Sequence, residues 1–203
     1  MDEQQIATGM AALAAVDPDL ASAFAQLGAP PPRQRPAGFE TLVATLVSQQ
    51  ISTAAARAIM ARVNALLPQL TPAALLALEP QQLRAAGLSL RKIEYARGLA
   101  QAVVTERFPI ARLPALSDAD AIEQITALRG FGCWSAEIYL MFSLRRADIF
   151  PADDLALLAA LGRLKGLDAR PTPKQARELT AHWSPWRSVG ALFLWHYYHG
   201  APA

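Results

Sequence analysis

Leu128-Arg129-Gly130-Phe131-Gly132-Cys133-Trp134-Ser135-Ala136 is the stretch on which the fold of this chain turns. Before it, Ser117-Asp118-Ala119-Asp120 has the composition of a helix start, and Ile122, Ile125 and Leu128 recur at helical spacing. After it, Ala136, Tyr139, Leu140 and Phe142 mark another apolar helical face. Two glycines two positions apart between such runs predict a tight turn whose backbone N–H groups point outward at a helix N-terminus. That turn can hold a phosphate through amide donors and the helix dipole. Alone, the pattern is more often that of an ordinary helix–helix connection.

Outward from the turn, the chain reads as helix throughout. Of 203 residues, 42 are alanine, and leucine is the next most prominent, while Val, Ile, Thr and Tyr are scarce. Helix formers therefore dominate strand formers, and the expected class is all-α. Residues 4–27 are helical in period, with Pro18 after Asp17 as a break or first-turn proline. The run Ala29-Pro30-Pro31-Pro32-Arg33-Gln34-Arg35-Pro36 predicts an extended linker, because proline fixes φ and removes donors. Phe39, Leu42, Val43, Leu46 and Val47 form a buried face, which the polar knot Ser48-Gln49-Gln50-Ile51-Ser52-Thr53 interrupts. Thr71-Pro72, Ser89 and Thr172-Pro173 look like helix caps, and a last helix is expected over residues 186–198.

Composition closes several classes of function. A hydrophobic fraction of 53% with 18% charged residues excludes a disordered chain. A net charge of +2 neither requires nor excludes nucleic acid, since a local basic face matters more than the sum. The single cysteine, Cys133, excludes a disulfide framework and any four-cysteine metal or iron–sulfur site. The first residues lack the basic region of a signal peptide, and no uncharged run suits a bilayer, so a soluble, cytoplasmic protein is expected.

Two further constellations suggest chemistry. Asp153-Asp154 follows Ile149-Phe150-Pro151 at an expected helix start. Such a pair serves either as N-caps or as a carboxylate whose charge the helix dipole favours, suited to stabilising a developing cation. Three of four tryptophans, Trp183, Trp186 and Trp195, cluster near the C-terminal end, and the fourth, Trp134, lies in the glycine turn. Tryptophan more commonly fills a core, but its face also stacks on a base, above all a cationic one. His196 and His199 share a helix face without a third ligand nearby, too few for zinc.

In this order the pieces resemble the helix–hairpin–helix DNA glycosylases, in the branch of 3-methyladenine DNA glycosylase II. Ser48-Gln49-Gln50-Ile51-Ser52 resembles the family's Ser-Gln-Gln-hydrophobic-Ser turn. Gly87-Leu88-Ser89 with Lys92 and Tyr95 is similar to its Gly-Leu-Ser-x-x-Lys-x-x-Tyr segment. Residues 128–136 resemble the hairpin Leu-Pro-Gly-hydrophobic-Gly-x-Trp-Thr-Ala, with Arg129 in place of proline and Ser135 in place of threonine. Phe150-Pro151-x-Asp153-Asp154 resembles the segment ending in the catalytic aspartate, and Trp183-x-Pro185-Trp186-Arg187-Ser188 the motif near the C-terminus. The likeness covers residues 39–198, and five motifs in order are far more specific than any one.

The resemblance implies a single all-α unit over residues 1–203, with two helical lobes and an active cleft between them. One lobe takes approximately residues 1–37 plus 148–203, and the other approximately 38–147. It implies a monofunctional enzyme that hydrolyses the N-glycosidic bond of alkylated bases in double-stranded DNA, acting as a monomer and requiring no cofactor. Asp154 is the expected catalytic carboxylate, with Asp153 a cap or supporting partner. Trp134, Trp195 and Tyr139 are expected in the base pocket, Ile138 standing where relatives often carry the pocket tyrosine. Gln49, Gln50, Ser52, Gly130, Gly132, Trp134 and Arg187 are expected to face DNA, Gln50 filling the stack vacated by the flipped nucleotide. Backbone carbonyls of Thr126, Leu128 and Phe131 are implied to hold a monovalent cation, Na⁺ or K⁺. Relatives that also cut the backbone use a hairpin lysine as Schiff-base nucleophile. Trp134 matches that position here, so a lyase step is not expected. Other readings remain: a non-catalytic helix–hairpin–helix module that binds DNA, and a plain helical interaction protein without DNA affinity.

Overall fold

Prolines and short polar caps set most helix starts. Asp17, Thr71 and Thr172 each accept a hydrogen bond from a first-turn N–H, and each precedes a proline at the first helical position. Ser52, Ser89 and Ser117 cap three further helices in the same way. The computed structural model describes residues 1–200. In chain order the helices are α1 (Glu3–Val16), α2 (Pro18–Leu27), α3 (Phe39–Ser48), α4 (Thr53–Ala65), α5 (Pro72–Ala77) and α6 (Pro80–Ala85). They continue as α7 (Leu90–Val104), α8 (Asp118–Thr126), α9 (Cys133–Phe142), α10 (Leu155–Leu164), α11 (Pro173–Leu179) and α12 (Arg187–Gly200). No strand occurs among the described residues, and none of their helices is long and apolar enough to cross a membrane. The class is all-α, as composition predicts.

Packing divides the chain into two compact units. A terminal unit comprises Met1–Arg35 with Leu140–Ala203, and a middle unit comprises Pro36–Tyr139. The divisions fall two and eight residues before those expected from sequence. Both shifts follow local bonds: Thr41 Oγ1 donates to the Pro36 carbonyl at 2.6 Å, tying it to α3, and the Arg35 N–H donates to the Phe142 carbonyl at 2.9 Å, tying Phe142 to the terminal unit.

In the terminal unit, α1 packs on α2 and α12, and α10 on α12. The core takes Ile6, Met10 and Leu13 from α1, Leu157 and Leu161 from α10, and Val189 and Phe193 from α12. Each such side chain contributes about 1.5–3 kcal/mol by leaving water. Gly190 lets α12 approach Trp183 closely: a Cβ there would sit 2.4 Å from the indole ring. The unit also buries one carboxylate. Asp17 accepts hydrogen bonds from Leu20 N–H (3.1 Å), Lys165 Nζ (2.7 and 2.8 Å) and Trp183 Nε1 (2.6 Å), and its side chain is 0% exposed. Burial opposes its ionisation, but the bonds from Lys165, Trp183 and Leu20 outweigh burial and hold the carboxyl below its ordinary range.

In the middle unit, α7 runs centrally, packed by α3, α5 and α6. Leu42 and Leu46 of α3, Leu75 of α5, Leu83 of α6 and Ile93 and Leu99 of α7 form its core.

Candidate active site and nucleic-acid interface

The middle unit builds the glycine turn between the end of α8 and the start of α9. Phe131 N–H donates to the Leu128 carbonyl at 3.1 Å, and Gly130 takes φ +93°, a conformation L side chains rarely adopt. A Cβ on Gly130 would lie 2.3 Å from the Tyr95 ring, so this glycine is required twice. Gly132 differs. It is exposed, and a Cβ there would meet no atom within 4 Å. Its bare side is where another molecule can come close to the hairpin backbone.

The Gln-Gln turn is tied to this hairpin from within. Gln49 Nε2 donates to the Gly130 carbonyl and to Ser135 Oγ, both at 2.9 Å. Lys92 Nζ donates to the carbonyls of Val47 (2.7 Å) and Gln49 (2.9 Å), closing the C-terminal end of α3. Three stretches that the sequence presents separately are therefore one bonded piece, with Lys92 and Tyr95 of α7 as its struts. Gln50, the next residue, is exposed and stands at φ +58°, the left-handed region that a non-glycine side chain enters at a cost. Ser52 turns the chain into α4 by accepting from Ala55 N–H at 3.2 Å.

Several expected roles are corrected here. Gln49 does not present its amide outward as a DNA contact, because both Nε2 bonds run inward. Tyr139 is 1% exposed, and its hydroxyl accepts from Gly38 N–H at 2.9 Å. Burial, partly offset by that bond, raises its pKa, and the ring forms core and not pocket wall. Ser52 acts as a helix cap. Trp134 is half-buried and Ile138 is 5% exposed. Arg129, in the hairpin's proline position, pairs with Glu94 on the surface and lies over Tyr95.

The terminal unit builds the carboxylate site. Asp154, and not Asp153, is the N-cap of α10. Its Oδ1 accepts from Ala156 N–H and Leu157 N–H, both at 3.0 Å, and from Trp195 Nε1 at 3.2 Å. The carboxylate is half-buried at a helix N-terminus, where negative charge is stabilised, and the α12 indole fixes its direction. Asp153 is exposed. The Trp195 ring lies 5.7 Å from that of Phe142, and the Arg33 guanidinium lies 4.5 Å from the centre of Phe142 and 5.8 Å from that of Trp195.

The Trp183–Ser188 motif (residues 183–188) supports this site without lining it. Arg187 grips Asp148 with two side-chain bonds, Nε to Oδ1 at 2.7 Å and Nη2 to Oδ2 at 2.8 Å, and Ser184 Oγ donates to Oδ2 at 2.7 Å. The Arg187 bonds, set against burial and aided by Ser184, hold the Asp148 carboxyl below its ordinary range. Ser188 Oγ donates to the Arg146 carbonyl and accepts from Ile149 N–H. These bonds fasten the loop leading to Asp154. Arg187 thus belongs to an ion pair within the terminal unit.

A family model described as "HhH-GPD superfamily base excision DNA repair protein" matches residues 43–185, which include the hairpin and the Asp154 turn. The chain belongs to that superfamily. Among its relatives are DNA-3-methyladenine glycosylase 1 of Schizosaccharomyces pombe, 32% identical over 77% of this chain and 71% of that protein, and DNA-3-methyladenine glycosylase 2 of Escherichia coli, 30% identical over 86% and 64%. The fold superposes on a solved 3-methyladenine DNA glycosylase of S. pombe in complex with abasic DNA, with TM-score 0.86 and 29% identity over 93% of this chain and 95% of that one.

Proposed function

We propose that the protein is a monofunctional DNA glycosylase of base excision repair that hydrolyses the N-glycosidic bond of alkylated bases of the 3-methyladenine and 7-methylguanine class. The observation that carries the reading is Asp154: a carboxylate fixed by three N–H donors at the start of α10, with an aromatic face beside it. A base inside a duplex is out of reach, so the nucleotide must leave the stack. Exposed Gln50, braced through Gln49 and Lys92, would fill the gap. The hairpin amides around Gly132 and Trp134 would hold a backbone phosphate and give affinity without reading sequence.

Alkylated purines carry positive charge and depart readily. The enzyme then needs an anion near the oxocarbenium-like sugar, with water as nucleophile, and Asp154 supplies that anion. The indole face of Trp195, beside Asp154, suits stacking on a cationic ring. No lysine occurs in residues 128–136, which supports simple hydrolysis without a Schiff base. The carbonyls of Thr126, the last residue of α8, and of Leu128 and Phe131, which precede α9, are hard oxygen donors that suit Na⁺ or K⁺ bracing the hairpin. We take the enzyme to act as a monomer, and a DNA substrate implies a compartment that holds DNA.

Mass spectrometry of bases released from methylated duplex DNA tests the reading. Release of 3-methyladenine and 7-methylguanine with an intact backbone supports it. Binding without release would favour the non-catalytic module.

A further inference from the structure

The proline-rich stretch before α3 does more than link helices. Its backbone is pinned on both sides of Gln34: the Arg33 carbonyl accepts from the Met1 amino group at 3.0 Å, and Arg35 N–H donates to the Phe142 carbonyl. This lays both guanidinium groups over Phe142, Arg33 at 4.5 Å and Arg35 at 6.0 Å from the ring centre. Arg33 also reaches the Trp195 ring, whose Nε1 holds Asp154. The residue as a whole is exposed while its guanidinium packs on these rings, and no hydrogen bond or ion pair engages that group among the described residues. Burial and the neighbouring Arg35 work against its charge, while the charge of Asp154 works in favour of it. A guanidinium stays ionised in such surroundings. A cation with five donors therefore lies on the aromatic faces beside the carboxylate.

We propose that Arg33 determines lesion preference, favouring release of neutral purines with acceptor edges and disfavouring release of cationic ones. The inference rests on Asp154 being the catalytic carboxylate. When a neutral base such as hypoxanthine departs, the C1′–N9 bond breaks and its electron pair leaves with the base as an anion. Water adds its oxygen to C1′, and the proton it sheds ends on the base. Arg33 stabilises the departing anion and can donate to O6 or N7. When 7-methylguanine departs, the same electron pair cancels the ring's charge and the base leaves neutral, so Arg33 offers no such help. Before departure it repels the cationic ring and competes for the same aromatic faces. Repulsion between Arg33 and the sugar cation is common to both reactions and cancels in their ratio.

Single-turnover release rates, with enzyme saturating, are measured on one duplex sequence carrying either hypoxanthine or 7-methylguanine. In Arg33→Gln the hypoxanthine-to-7-methylguanine rate ratio is expected to fall at least tenfold, with 7-methylguanine release unchanged or faster. Arg33→Lys, which keeps the charge and the aliphatic stem but not the planar fork, is expected to give an intermediate ratio. It also keeps the question answerable if glutamine lowers stability. Equal factors on both substrates, a ratio that rises, or a wild type without measurable hypoxanthine release would overturn the proposal. Failure of the underlying reading looks different: wild type releases neither base, or Asp154→Asn is as active as wild type.

Discussion

Gln49 donates its side-chain amide to the carbonyl of Gly130, 81 residues away in sequence, at 2.9 Å. With the second bond to Ser135, this joins the turn that carries Gln50 to the hairpin that follows α8. On the proposed reading, a residue entering the base stack and a loop holding a phosphate would need a fixed spacing, which this contact would set.

We predict that Gln49→Ala lowers the unfolding free energy by about 1–3 kcal/mol, because it strands a part-buried carbonyl and hydroxyl. DNA affinity should fall with it. Urea denaturation and a gel shift on abasic-analogue DNA check this. Unaltered stability with reduced affinity would instead make Gln49 a direct DNA contact.

The two hairpin glycines should fail differently. Gly130→Ala must carry a side chain at φ +93° into the Tyr95 ring, so it should lower the melting temperature. A Cβ at Gly132 meets no atom within 4 Å, so Gly132→Asp should fold normally. Its carboxylate would repel a phosphate and weaken binding to every duplex, damaged or not. Melting curves and binding to lesion-bearing and undamaged DNA separate the two. Weakening confined to lesion-bearing DNA would mean the hairpin reads the base.

Trp195 combines a face with a hydrogen bond to Asp154, and two substitutions divide them. Trp195→Phe loses the bond and keeps an aromatic face, so release should slow by about 5–30-fold on neutral and cationic bases alike, the loss of about 1–2 kcal/mol. Trp195→Ala should slow 7-methylguanine further than hypoxanthine, by removing the stacking face. Equal extra losses on both substrates would contradict the stacking role.

The Asp17 cluster predicts a pH dependence of stability. Its carboxyl is held below its ordinary value, so its contribution is present above about pH 4 and fades as pH falls through the lowered folded value. Lys165 is shifted the other way. Burial lowers its pKa, but the bonds to Asp17 and Asp19 raise it more, so its contribution persists below about pH 10.4 and is lost as pH rises through the folded value. Asp17→Asn should cost about 3–5 kcal/mol at neutral pH, by leaving a largely buried ammonium short of its main partner. The gap to wild type should narrow in acid. A constant gap from pH 7 down to pH 3 would show that packing, not charge, accounts for the loss.

Helix positions were legible because Thr71-Pro72, Ser89, Ser117 and Thr172-Pro173 act locally, and each caps the helix expected of it. Asp154 was legible because its neighbours in sequence set its environment; that it caps α10 itself was not, since either member of an Asp-Asp pair can serve. What sequence concealed are contacts across long separations. Gln49 and Arg187 are polar residues in motifs, which suggests DNA, yet their partners Gly130 and Asp148 lie 81 and 39 positions away. Tyr139 sat one helical position from the expected pocket residue, and on a helix that rotates a side chain to another face. Arg33 was hidden because a proline-rich run reads as a spacer, and only the fold lays it over Phe142. Two arginines framed by prolines were the available signal.

Base release by Asp154→Asn in a single turnover, with DNA binding measured alongside, tests the central claim most directly. Asparagine keeps an oxygen for Ala156, Leu157 and Trp195, so the fold and affinity should survive. The charge that steadies the sugar cation is gone, and release of 7-methylguanine should fall by at least a thousandfold, about 4 kcal/mol in barrier. Activity within about tenfold of wild type, some 1.4 kcal/mol, would show that Asp154 is not the catalytic carboxylate.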